Sequence, residues 1–388
     1  MLSRDELAAW LRLSNTPGIS RGNARRLLTA FGSPEHVLGA ADDALRALAG
    51  SDIVQALRDD APQHALQLAA TERWLDAPGT GGAHDIVVLG DPRYPSLLLN
   101  AADPPLLLYT LGRVELLSTT SVAIVGSRVA TPQGMDNARD FARQLSEQGL
   151  TIVSGLAQGI DGAAHDGALA GRGSTVAFVG TGLDRVYPAR HAALMRRIAE
   201  QGLVASEYAL GTPARPENFP RRNRLIAGIS RGTLVVEAAL ESGSLITARL
   251  AVECGRDVFA IPGSIHAPQS RGCHRLIQEG AKLVENSGDV LRELCPDDVP
   301  RRARLSAPQP SLFAEAADLL DDAHETPDAR APDAALRTAL GHDPVSLDAL
   351  SARTGLPPEQ LAARLLDMEL TGAVQRLPGG LLQRRGRA

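Results

Sequence analysis

From residue 121 onward the chain repeats one pattern: a short apolar run, a loop rich in Gly and Ser, then a stretch with helical spacing. The apolar runs are VAIVG (122–126), TIVSG (151–155), TVAFVG (175–180), LVASEY (203–208), TLVVEA (233–238), DVFAIPG (257–263) and AKLVE (281–285). Runs this short, with little polar alternation, fit strands buried on both faces. The stretches between them, such as 132–148 and 243–255, supply crossover helices. The pattern predicts an α/β fold with a doubly wound, mostly parallel sheet. Such a sheet binds ligands outside the carboxyl ends of its strands. DIVVLG (85–90) and PPLLLYT (104–110) are expected to be strands flanking it.

The remaining chain is organised differently. A length of 388 residues exceeds one ordinary core and implies two or three domains. Residues 1–77 are rich in Ala and Leu with helical spacing. Within them, NTPGISRGNARRLLTAFGS reads as helix, Pro-Gly turn, helix. That is either a helix-hairpin-helix, whose turn offers N–H groups to phosphate, or the plain turn of a helical bundle. PGTGG (78–82) marks a boundary before a sheet domain at 84–295. Residues 296–332, rich in Pro, Asp and Ala, read as a linker. The last module, 333–385, runs helix, turn, helix, strand, Gly-Gly, strand, the order of a winged helix.

Composition excludes several classes. The start, MLSRDELAAWLRL, lacks the basic flank and apolar core of a signal peptide, and no apolar run approaches the roughly 18 residues of a membrane span. A cytoplasmic protein without membrane attachment is expected. Cys254, Cys273 and Cys295 are too scattered for a disulfide framework or a zinc site, so no metal is expected. Of 40 basic residues 39 are Arg, and the single Lys282 sits in GAKLVE. A Walker A loop needs Gly-Lys-Ser/Thr, so a P-loop ATPase is excluded. The dinucleotide fingerprint is also missing, and no cofactor is expected.

Four loops at strand carboxyl ends carry the polar chemistry. In VGSRVATPQG (125–134), Gly126 permits a tight turn, Ser127 offers a hydroxyl and Arg128 offers a fork for phosphate. In SGLAQGIDGAAH (154–165), Asp161 and His165 stand four apart. They are either an acid/base or metal pair, or a helix-start Asp with a packed His. FPRRNRLIAG (219–228) is the anomaly in a chain of net charge −5. Arg221, Arg222 and Arg224 crowd the start of a helix, where the dipole repels cations. An anion bound there removes the cost, and Phe219 beside it offers a base platform. In ESGSLITAR (241–249), Ser242, Gly243 and Ser244 precede a helix as a backbone nest, with Thr247 one turn later. Together the loops describe an anion-binding groove. No activated nucleophile stands with a base, so no catalytic residue is expected.

The order of GSRVATPQG, SGLAQGIDGAAH, GLDRVYPARH, SEYALGTPA, FPRRNRLIAG, VVEAALESGSLITAR, VFAIPGS and GCHRLIQEGAKLVE resembles the DNA-processing protein A family (DprA, also called Smf), strongly over 85–285. The resemblance implies an extended Rossmann domain, a small helical domain (SAM-like or helix-hairpin-helix) before it and a winged helix after it. It further implies a non-enzymatic, homodimeric protein that binds and protects single-stranded DNA and loads the RecA recombinase during natural transformation. The DNA site it implies comprises Arg128, Phe219, Arg222, Asn223, Arg224 and the Ser242–Gly243–Ser244 loop, and Gly126, Ser127, Arg190 and Thr247 join the expected set. Self-association is expected through His274, Leu276, Ile277 and Leu283. His191 and His274 depart from the Asn that many relatives carry, and Gln133 replaces a frequent aromatic.

Two other functions compete. Some Rossmann relatives cleave nucleoside monophosphates with a Gly-Gly-x-Gly-Thr loop and a following Glu, but RGTLVVEAALESG lacks the glycine pair. A sequence-specific regulator would read DNA through PEQLAARLLDMEL (358–370), whose one basic residue, Arg364, stands among acids. A protein contact or a structural role suits that helix better.

Overall fold

The computed structural model describes residues 2–59, 61–77, 81–101, 103–295 and 344–384, with Leu336, Ala339 and Leu340. The expected linker at 296–332 lies outside the described residues. Two compact units are present, one of residues 1–263 with 268–290, the other of residues 291–388 with 264–267.

The first unit opens with helices α1 (Arg4–Asn15), α2 (Arg21–Phe31), α3 (Pro34–Gly39), α4 (Asp42–Ala49), α5 (Ser51–Arg58) and α6 (Pro62–Leu75). Serine caps mark several starts: Ser3 closes a capping box with Glu6, and Ser20 and Ser33 accept the backbone N–H groups of Asn23 and His36 in the first turns they cap. Strands β1 (His84–Val88) and β2 (Leu107–Gly112) follow. Then the alternation begins: β3 (Ser121–Val125), α7 (Pro132–Glu147), β4 (Thr151–Ser154), α8 (Ile160–Ala168), β5 (Thr175–Phe178), α9 (Ala192–Gln201) and β6 (Leu203–Ser206). It continues with α10 (Asn218–Ile229), β7 (Gly232–Val235), α11 (Gly243–Glu253), β8 (Asp257–Ala260), α12 (Arg271–Gln278), β9 (Lys282–Leu283) and α13 (Ser287–Leu294).

The strands form one sheet in the order β1-β2-β6-β5-β4-β3-β7-β8-β9. From β6 to β9 every pairing is parallel, while β1–β2 and β2–β6 are antiparallel. The expected doubly wound, mostly parallel sheet is therefore present. The chain winds outward from β3 to β6, returns through α10, and restarts at β7 on the other side of β3. That reversal opens a crevice between the carboxyl ends of β3 and β7, where open α/β sheets hold ligands.

Both faces of the sheet are covered. Val176 and Phe178 of β5 pack with Leu225, Ile226 and Ile229 of α10, while Ala177 and Val179 join Met195 and Ile198 of α9. The second cluster also contains Leu7, Leu27, Leu45 and Leu57 from the N-terminal helices. Full burial of each such Leu or Ile contributes about 1.5–3 kcal/mol relative to exposure.

In the second unit, α14 (Leu347–Thr354), α15 (Pro358–Leu370) and the hairpin of β10 (Val374–Arg376) and β11 (Leu382–Arg384) enclose Val345, Leu361, Leu365 and Met368. Gly379 and Gly380 turn the hairpin at φ of +84° and +76°, where a Cβ would be strained.

The loop after β4 resolves the Asp161/His165 pair. Gly155 N–H and Ala157 N–H donate to Asp161 Oδ2 at 3.1 and 3.4 Å, and Leu156 N–H donates to His165 Nε2 at 3.2 Å. His165 Nδ1 in turn lies 2.7 Å from Thr175 Oγ1, whose hydroxyl donates to Ile152 O. Nε2 is thus an acceptor and Nδ1 carries the proton, a neutral ring. Both residues brace the loop, with Leu156 held at a left-handed φ of 56°. Burial, aided by the charges of His191 and Arg222, pushes the His165 pKa from 6.5 down to about 3. The stabilisation is therefore complete above pH 6.5 and is lost as pH falls toward 3, because the unfolded chain takes up the proton first. The unfolding free-energy difference between wild type and His165→Gln, measured in urea, is expected to narrow by about 2 kcal/mol from pH 7.5 to pH 5. A gap independent of pH would contradict this account.

Candidate nucleic-acid interface

A cavity of about 550 Å³ occupies the crevice between β3 and β7. Its first wall is the loop after β3. A Cβ on Gly126 would lie 2.6 Å from Ile160 and 2.8 Å from Glu237 O, so the backbone packs at a distance only glycine permits. Ser127 N–H donates to Glu237 O at 2.7 Å, Ile160 N–H donates to Ser127 O, and Ser127 Oγ accepts from Val129 N–H at 3.1 Å. The Glu237 carboxylate accepts from Thr131 N–H and Thr131 Oγ1–H, fixing the entry to α7. Burial raises its pKa, and the two Thr131 bonds oppose that rise. Sequence patterning gave no hint that Glu237 carries the loop. The outcome leaves Arg128 exposed at the rim.

The second wall is the start of α11. Ser242 caps the helix by accepting from Ser244 N–H, and the two hydroxyls lie 2.7 Å apart. Asn223 Nδ2 reaches Gly243 O at 3.5 Å, and Thr247 lines the cavity from the next turn.

The third wall is α10, and here the structure departs from expectation. The helix begins at Asn218, so Arg222 and Arg224 fall beyond its first turn, where the dipole has largely faded. Arg222 is only 2% exposed and is no free phosphate fork. Its Nη1 donates to Gly155 O at 2.6 Å and to Phe178 O, and its charge faces buried Asp161. Burial lowers the Arg222 pKa to about 10, which leaves it charged at neutral pH. Burial also raises that of Asp161, and Arg222 opposes the rise. Arg224 pairs with the Glu207 carboxylate, with only 12% and 3% of the two side chains exposed. Arg21, in the first turn of α2, shares Glu207 at 2.9 Å and also binds Asp103 at 2.6 Å. The apparent surplus of positive charge is thus met by carboxylates distant in sequence. Arg221 alone among the three is exposed.

Phe219 stands beside the cavity. The Arg128 guanidinium carbon lies 5.5 Å from its ring centroid, within cation–π range. The Tyr187 ring lies 5.3 Å away, tilted by 36°. Tyr187 lies within GLDRVYPARH, and nothing in the sequence gave its ring a role of its own.

The structure brings Gly126, Ser127, Arg128, Arg222, Asn223, Ser242, Gly243, Ser244 and Thr247 together around one cavity. Phe219 and Arg224 adjoin it through Arg128 and α10, whereas Arg190 sits on a separate exposed turn at 189–191. Asp161 and Glu241, from the second and fourth loops, also line it, as does Gln269, which lies outside all four. The residues expected at a self-association surface lie elsewhere. Leu276 and Ile277 pack against the core of their own unit, and His274 Nε2 lies 2.9 Å from Gly263 O. Only Leu283, on the edge strand β9, presents a large exposed apolar surface, at 45%.

Comparison with known proteins places this geometry. The family model for DNA recombination-mediator protein A matches residues 85–295, and that of the DprA winged helix domain matches 321–380. Protein Smf of Escherichia coli (strain K12) is 39% identical over 319 residues, covering 80% of this chain and 79% of that protein. The X-ray structure of DNA processing protein A from Streptococcus pneumoniae superposes with a TM-score of 0.65 at 36% identity, over 75% of this chain and 98% of that one. A structure of DNA processing protein A from Helicobacter pylori, described for its single-stranded DNA binding mode, superposes with a TM-score of 0.51 at 31% identity, over 57% and 99% of the two chains. With its sheet domain and its C-terminal module both matched, the chain belongs to the DNA recombination-mediator protein A family.

Proposed function

We propose that this protein binds single-stranded DNA in the cavity between β3 and β7, protects it, and loads the RecA recombinase onto it during natural transformation, acting as a cytoplasmic homodimer without catalysis. The observation that carries the reading is the combination at one crevice: an exposed Arg128 held over an aromatic ring, beside a nest of hydroxyl and amide groups. Arg128 supplies the charge-assisted fork for phosphate. Ser127, Asn223 and the Ser242–Ser244 turn supply neutral donors that track a backbone without reading sequence. Arg222 and Arg224 act as frame, since their guanidinium groups already serve Gly155, Phe178 and Glu207. Net negative charge is compatible with this role, because attraction depends on the local patch. The reading as a nucleotide-cleaving enzyme is weaker. Asp161 and His165, the pair nearest to an acid and a base, spend their hydrogen bonds on the loop after β4. For self-association the exposed edge strand β9 with Leu283 is the proposed surface, since an unpaired edge is a ready template for a second copy.

Three outcomes follow. Arg128→Ala is expected to weaken binding of an oligothymidylate about tenfold and to reduce the slope of log K against log salt by about 0.7, the loss of one phosphate contact to a single strand. A folded variant with unchanged affinity would remove the cavity from the DNA path. Leu283→Arg is expected to yield monomers in light scattering coupled to size exclusion. Retention of the dimer would move the interface away from β9. Host RecA is expected to co-purify with the immobilised protein more strongly when single-stranded DNA is present. Equal recovery from a blank resin would refute the loading role.

A further inference from the structure

A second cavity, of about 450 Å³, lies in the same unit between the N-terminal helices and the loop that leads from β6 to α10. Its volume falls in the range of small-ligand sites, roughly 300–1,000 Å³. Asn15 at the end of α1, Gln63, His64 and Gln67 on α6, and Arg215 on the loop line it. Among the described residues no acidic one does. Asn15, Gln63, His64 and Arg215 make no side-chain hydrogen bond or ion pair among the described residues. Pro17, Leu210 and Pro213 supply apolar walls between these polar groups.

The two cavities are joined by a continuous set of contacts. Arg128 lines the first and stands over Phe219, and Phe219 meets Tyr187. Tyr187 is 48% exposed, and it belongs to the loop that begins at Gly182. This loop is bonded to the wall of the second cavity: Gly182 N–H donates to Thr212 O at 3.0 Å, and Gly211 N–H donates to Asp184 Oδ1 at 2.8 Å. An exposed aromatic ring therefore belongs to a loop tied to the anion-binding crevice on one side and to the amide-lined one on the other.

We propose that the second cavity is a nucleobase subsite, reached over Tyr187, that takes a base of the same single strand held at the first. The inference rests on the reading of the first cavity as a DNA site. Side-chain amides offer a donor and an acceptor side by side, matching the edge of an unpaired base. The apolar walls cover the ring faces, and Arg215 at the mouth meets the adjoining phosphate. Tyr187 supplies a stacking platform between the two sites. The N-terminal helices thereby become part of the DNA track.

The test uses the full chain and oligothymidylates of about 6 and about 20 nucleotides, bracketing one and several subsites. The triple variant Gln63→Ala, His64→Ala, Arg215→Ala alters only side chains outside the first cavity. It is expected to lose about tenfold in affinity for the long strand, the worth of one stacked base, and to bind the short one as wild type does. Tyr187→Ala is expected to lose affinity for the long strand by a similar factor. A long strand carrying 4-thiothymidine is expected to photocrosslink to the peptide of residues 61–70, while free 4-thiothymidine monophosphate at equal nucleotide concentration is not. Equal binding of the long strand by variant and wild type, equal loss on both lengths, or crosslinking by the free nucleotide alone overturns the subsite. Failure of wild type to bind either strand overturns instead the DNA reading on which it rests.

Discussion

The guanidinium of Arg222 is the tie on which the rest of the site depends. It joins the carboxyl ends of β4 and β5 through Gly155 O and Phe178 O, and it balances the buried charge of Asp161. Asp161 in turn holds the amides of Gly155 and Ala157. A buried ion costs several kcal/mol unless its partners are well placed, and here the two carbonyls and the carboxylate offset that cost. The geometry is demanding. A Cβ at position 155, just past the end of β4, would fall 2.5 Å from Arg222 Nη1 and push the guanidinium off its carbonyls. Both bonds leave from Nη1, whose N–H groups are fixed in the guanidinium plane, whereas a lysine ammonium turns freely on its stem.

This tie explains which parts of the molecule were legible in the sequence. The strands were, because apolar runs of that length have few other uses, and their order in the chain already implied a parallel sheet. The loops of the crevice were legible as small polar residues at strand ends. The fate of FPRRNRLIAG was legible only as a misfit. Its resolution depends on Asp161, Glu207 and the ends of two strands, which no local pattern connects to Arg222 and Arg224. The spacing of Asp161 and His165 is the same for a reactive pair and for a bracing pair, and burial alone separates them. Tyr187 lies in an irregular loop, where an aromatic residue has no periodicity to betray its position, and only the approach of Phe219 gives it meaning.

Electrostatically, the chain uses arginine in two opposed ways. Most guanidinium groups near the crevice are neutralised within the fold, as Arg21 and Arg224 are by one shared carboxylate. Arg128 is held over an aromatic face instead, an arrangement that positions the cation without cancelling its charge. Local placement, more than net charge, therefore distinguishes the crevice from the rest of the surface.

The shared core beneath the sheet has a consequence for how the chain can be divided. Ile86, Val88, Tyr109, Ala177 and Val204 belong to the same apolar cluster as Leu7, Leu13, Leu27 and Leu57. The break in composition near 78–82 is therefore a seam in the sequence and not in the stability of the molecule. A polypeptide that started after it would bare one face of its sheet to water and leave Glu207 without Arg21. The leading helices are the missing layer of the sheet, supplied from upstream, and the two segments are expected to melt together as one body.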